Sequence, residues 1–330
     1  MALDTASPLP DGLVFAVSLR GKGRATALDT ATVDAAWRSE EVAWVHADFR
    51  RADGWLREAS GLPPGIVEAL LSPETRPGLF VEGDGFLVIL RALNPNAGEA
   101  AEEMVSVRLW VEPTRILSLR ARKIGVFHDL RVALDAGKGP PHAAALLAQV
   151  VTALSAELHA HVLELEKAVD ALAAAEGDLH PVDHERQVRL ASARRRVTEL
   201  SRYVGPQAET LAELAELPRD WLDSDIRWRL RTAATRARRA EDDLVALAAQ
   251  LTAFEDALER AATERLNRRL YLVAIISTIF LPLSFVASVL GMNVAGAPGT
   301  EWPWSFVAVM TLMSAVGMGL MVWFRRARWW

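Results

Sequence analysis

Two runs of 21 residues without a charged side chain constrain this 330-residue sequence more than any other feature. Leu270 to Leu290 reads LYLVAIISTIFLPLSFVASVL, and Trp304 to Phe324 reads WSFVAVMTLMSAVGMGLMVWF. As helices, each would extend roughly 31 Å, close to the hydrocarbon thickness of a bilayer. A globular core helix is seldom so uniformly apolar. Two such runs close together predict a pair of C-terminal transmembrane helices.

The flanks predict their orientation. Arg265, Arg268 and Arg269 precede the first span, and Arg325, Arg326 and Arg328 follow the second. The loop between, residues 291–303, has no Lys or Arg and one acid, Glu301. By the positive-inside rule both termini are cytoplasmic and the loop faces outward. Trp302, Trp304, Trp323, Trp329 and Trp330 suit interfacial aromatic belts. The N-terminus, MALDTASPLPDGLVF, lacks the basic stretch and apolar run of a secretory leader, so the large N-terminal part is expected in the cytoplasm.

Composition narrows the chemistry. The sequence has no cysteine, which removes disulfides, thiolate metal ligands and cysteine nucleophiles. A net charge of −5 gives no basic face for nucleic acid. No P-loop, dinucleotide fingerprint or catalytic triad is present, so no enzyme is expected. No tightly bound cofactor is expected either.

Ahead of the spans the sequence divides in two. Residues 1–141 alternate short β-rich runs (12–20, 42–49, 85–93, 104–112 and 115–120) with helical stretches such as 64–72, which predicts a mixed α/β domain. The breaker GKGPP occupies 137–141. Residues 142–269 are rich in helix formers and predict a long-helix stalk. Three helices fit, over 142–177, 182–216 and 219–290, the last carrying a heptad seam through Leu244, Leu247, Leu251, Phe254 and Leu258. With no Pro or Gly between Pro218 and Pro282, this helix is expected to run on into the first span. The predicted class is an α+β membrane protein: a cytoplasmic α/β domain, long helices, spans at 270–290 and 304–324, an external loop at 291–303, and a basic tail at 325–330.

Two helices cannot enclose an aqueous path, so conduction would require several copies around an axis. The first span has a suitable face. Ser277, Ser284 and Ser288 share it with Leu281, and toward the cytoplasm it continues through Val273, Leu270 and Asn267. Serines also serve helix packing in membranes, which is the competing reading. At the span's outer end stand Gly291, Met292 and Asn293. Gly frees carbonyls, and Asn offers a neutral amide able to hold a dication's water shell. Glu301 would add an acidic ring at the entrance, attracting cations, or is an ordinary interfacial carboxylate. At the turn between the first two long helices, His180, Asp183 and His184 are candidate metal ligands, although Pro181 and the acids equally suit a plain helix start. His159 and His161, two residues apart, point in different directions on a helix and are read as structural.

The stretch NRRLYLVAIISTIFLPLSFVASVLGMNVAGAPG, residues 267–299, resembles the ZntB branch of the CorA-type metal transporter superfamily. ALLSPETRP at 69–77, EMVSVRLWVE at 103–112 and LSRYVGPQ at 200–207 extend the resemblance along nearly the whole chain. It implies a homopentamer in the cell's inner membrane, with the first span lining the pore and the GMN loop at the outer mouth. It also implies Zn²⁺ or a related divalent cation as transported substrate, with proton coupling proposed for such proteins. A CorA-type Mg²⁺ or Co²⁺ channel and a non-transporting membrane-anchored scaffold are the alternatives.

Overall fold

The computed structural model describes residues 9–73, 76–95, 100–174, 184–292 and 302–326. The chain begins with β1 (Leu13–Leu19), β2 (Ala25–Ala27), α1 (Val33–Trp37) and β3 (Val42–Asp48). There follow α2 (Asp53–Glu58), α3 (Pro64–Leu71), β4 (Gly78–Glu82), β5 (Gly85–Ala92), β6 (Val105–Val111), β7 (Arg115–Arg120) and α4 (Gly125–Asp135). Four long helices complete it: α5 (Ala143–Ala174), α6 (His184–Glu216), α7 (Ser224–Leu290) and α8 (Ser305–Arg326).

The strands form one seven-stranded sheet in the order β2-β1-β3-β7-β6-β5-β4. β3 and β7 are parallel and every other pair is antiparallel. β5 reads FLVIL without alternation because both of its faces are covered. Phe86, Val88 and Leu90 join the core that includes residues of α4, α5, α6 and α7. Leu87 and Ile89 join Trp37, Trp55, Ile66 and Leu70 of α1, α2 and α3 on the other face.

Described residues of the three sequence signatures at 69–77, 103–112 and 200–207 take part in packing contacts around the sheet. Arg108 of β6 is buried; it donates to the Leu70 carbonyl at the end of α3 and to Ser106 Oγ, and lies 4.2 Å from the Phe49 ring centroid. Burial and the nearby Arg91 charge pull its guanidinium down to about 10. Gln207 of α6 accepts the Arg91 backbone N–H of β5 at 2.6 Å, and Arg91 covers the Tyr203 ring. At Gly205 a Cβ would lie 2.9 Å from Glu241 Oε1 of α7, so only glycine allows this approach without a shift.

Glu102, in the β5–β6 connection, is buried between two helices. Its carboxylate takes hydrogen bonds from Arg196 of α6 and from His161 Nε2 of α5, the latter at 2.8 Å. Burial acts to raise its carboxyl, and the Arg196 and His161 hydrogen bonds outweigh burial, holding it below the usual range. His161 is therefore structural.

Among the described residues three helices are long and apolar enough to cross a membrane: α5, α7 and α8. α5 is a core helix. Leu146, Leu147, Val150, Val151 and Leu154 are buried in the cluster beneath the sheet. In the most apolar stretches of α7 and α8 no residue is fully buried within the chain.

The chain forms two compact units, with a boundary in α7 between Phe254 and Glu255. In the first, α7 buries Ile226, Leu230, Ala233, Ala237, Ala240, Leu244, Leu247 and Leu251, a sustained alternation of four and three. The helix continues without interruption through Pro282 to Leu290.

Candidate functional site

The candidate site lies on the C-terminal part of α7. Its neighbour within the same unit is α8, which begins as Ser305 Oγ donates to the Trp302 carbonyl at 2.6 Å. Partial burial on α8 recurs at Ser305, Val309, Met313, Gly317 and Leu320, ending at the buried Phe324. On α7 it recurs at Tyr271, Ile275, Ile279, Leu283 and Val286. These are two facing helical stripes. A Cβ at Gly317 would meet Leu283 Cδ1 at 3.8 Å, which locates the crossing at a small residue, as in many membrane helix pairs.

The serine stripe stands on the other side. At 100° per residue, its mean direction is roughly 180° from that of Tyr271, Ile275, Ile279, Leu283 and Val286. Leu270, Val273, Leu281, Ser284 and Ser288 are all exposed, as is Asn267; Ser277 is half-buried. The chain therefore uses one face of α7 against its own second span and leaves the Ser284 face uncovered.

The helix ends with Gly291 N–H still donating to the Ala287 carbonyl at 2.9 Å, while Met292 is exposed. Asn293 and Glu301 lie outside the described residues, as do His180 and Asp183; His184 is the first residue of α6. Among the described residues no three His, Asp or Glu side chains come together as a metal site. Neither span contains a carboxylate or a histidine. The exposed face can thus offer hydroxyls, an amide and backbone carbonyls, ligands suited to a cation that keeps its water.

The sequence reading did not identify Arg108, Gln207 or Glu102 as structural anchors. Arg108 had a local signal, a charge within the apolar strand VSVRLWV. Glu102 had none, because its partners are 59 and 94 residues away.

An α/β unit, a long-helix region and a polar face left exposed on an apolar C-terminal helix pair are the parts a multi-copy membrane transport protein would need. The family model described as CorA-like Mg2+ transporter protein matches residues 39–326, and the chain belongs to this CorA family of divalent cation transporters, which are not enzymes. It is 34% identical over 327 residues to the divalent cation transporter CmaX of Pseudomonas aeruginosa, covering 96% of this chain and 97% of the relative. It is 29% identical over 321 residues to the zinc transport protein ZntB of Pectobacterium carotovorum, covering 96% of each. The full-length CmaX structure superposes with a TM-score of 0.81 at 32% identity, over 96% of this chain and 98% of that one. The CorA magnesium transporter of Methanocaldococcus jannaschii shares the fold, with a TM-score of 0.75 at 18% identity over 95% and 98% of the two chains.

Proposed function

We propose that this chain is a homo-oligomeric transporter of Zn²⁺ and related divalent cations, with hydrated cations entering at a GMN mouth and passing along the Ser284 face of α7. In this reading residues 1–141 and 142–269 are cytoplasmic, 270–290 and 304–324 span the inner membrane, and 291–303 form the outer loop. A homopentamer supplies the copies that close the path. The reading is carried by one observation: the polar stripe is turned away from α8 and, apart from the half-buried Ser277, left exposed. A serine stripe serving only packing within the chain would face α8. The zinc substrate is supported by relatives named as zinc transport proteins.

Uptake by the purified protein in proteoliposomes tests this. Zn²⁺ should enter, and should be displaced by Cd²⁺ or Ni²⁺ more readily than by Mg²⁺. Mg²⁺ uptake with weak Zn²⁺ competition would instead support the CorA-type reading, for which the matching family model is named. No uptake of any dication would contradict both.

A further inference from the structure

The stripe does not stop at the membrane edge. From Ser288, alternating steps of four and three pass through Ser284, Leu281 and Ser277, reach Asn267 and Thr263, and continue to Arg260 and Asp256. In this segment Asp256, Arg260, Thr263 and Asn267 are exposed, while Leu258, Ala261 and Arg265 around the helix are half-buried. A repeat averaging 3.5 residues drifts by about 20° per heptad on a straight helix, and a left-handed supercoil of several copies keeps it facing one axis. Between Asp256 and Gly291, Asp256 and Arg260 are the only charged residues in the register. They are one helical turn apart, and Arg260 Nη2 approaches Asp256 Oδ2 at 3.9 Å.

We propose that Arg260 sets the conduction rate on the cation path, its guanidinium balanced by Asp256 so that the inner end of the conducting face carries no net charge. This rests on the transport reading above. An arginine cannot lose its proton in a protein, so an unbalanced ring of guanidiniums would repel every passing dication. Asp256 in the same chain cancels that charge. The exposed ion pair is itself weak, so its two charges remain available to act separately on a passing ion.

The full-length protein in proteoliposomes provides the test, with initial Zn²⁺ uptake measured below saturation at low ionic strength. Arg260→Gln should raise the rate about tenfold by leaving an acidic ring, the lower end of what local cation focusing supplies. Asp256→Asn should lower it by a similar factor, and the double variant should return close to wild type. A purely structural ion pair predicts single-variant changes of the same sign. Arg265→Gln, about 140° from Arg260 and about 180° from Asp256 around α7, should leave the rate unchanged, and all variants should elute at the wild-type oligomer size. Single-variant effects of like sign, no effect at all, or an Arg265→Gln effect matching that of Arg260→Gln would overturn the assignment to Arg260. Wild-type protein that moves no dication would instead end the transport reading itself.

Discussion

Leu283 of α7 and Gly317 of α8 meet where the two apolar helices cross, with 3.8 Å between Leu283 Cδ1 and the position of a Gly317 Cβ. That spacing is ordinary van der Waals contact, so Gly317→Ala should fit. Gly317→Leu would place three further carbons into Leu283 and force the helices apart. Overpacking of this kind costs about 1–3 kcal/mol. The expected result is a normal oligomer yield for the alanine variant and a reduced one for the leucine variant, read by size-exclusion chromatography in detergent. Equal yields would place the crossing elsewhere.

Asn293 is proposed as the amide at the outer mouth. Asn293→Ala should abolish or sharply reduce Zn²⁺ uptake while the oligomer elutes as wild type. Uptake at the wild-type rate would remove the side chain from the mechanism.

Glu301 is proposed to act at a distance, through the field of an acidic ring. Glu301→Gln should slow uptake at low salt and lose its effect as salt rises, because the screening length is about 10 Å at 0.1 M. An equal loss at low and high salt would indicate a direct ligand.

His46 gives the α/β unit a pH dependence. Its Nδ1 lies 2.7 Å from Ser118 Oγ, which also accepts Trp44 Nε1, and its ring stacks on Phe15. Burial, reinforced by the Arg120 charge, pulls the imidazole from 6.5 to about 3. The folded-state value is depressed, so between those limits the unfolded chain binds the extra proton. The contribution is complete above about pH 6.5 and lost as pH falls, by up to roughly 1.4 kcal/mol per unit from this site. His46→Gln should therefore flatten the fall in melting temperature between pH 6.5 and 4.5, measured by circular dichroism. An unchanged slope would assign the acid sensitivity to other groups.

The large elements were legible in the sequence because their signals are local. The β-rich runs read at 12–20, 42–49, 85–93, 104–112 and 115–120 contain β1, β3, β5, β6 and β7, and the long helices formed near their expected positions. β2 has three residues and α1 five, too few to show a period. β4, GLFVE, carries exposed Phe80 and Val81, so it shows no inward–outward alternation. The first half of the α7 seam was hidden because Ala233, Ala237 and Ala240 read as helix formers rather than as buried contacts. At the candidate site the serine face was legible from spacing alone. That this face is the uncovered one was not, since it depends on how α8 packs against Tyr271, Ile275 and Leu283.

The central claim is that the Ser284 face of α7 borders water in the assembled protein. Cysteine accessibility at Ser284 and Val286 tests it most directly, on a sequence with no native cysteine. The two positions are about 200° apart around the helix, and Val286 is half-buried on the side facing α8. In proteoliposomes, Ser284→Cys should react readily with a small water-soluble thiol reagent and lose Zn²⁺ uptake on modification. Val286→Cys should react slowly and keep its uptake. Comparable labelling at both positions, or faster labelling at Val286, would contradict a water-lined path along the Ser284 face.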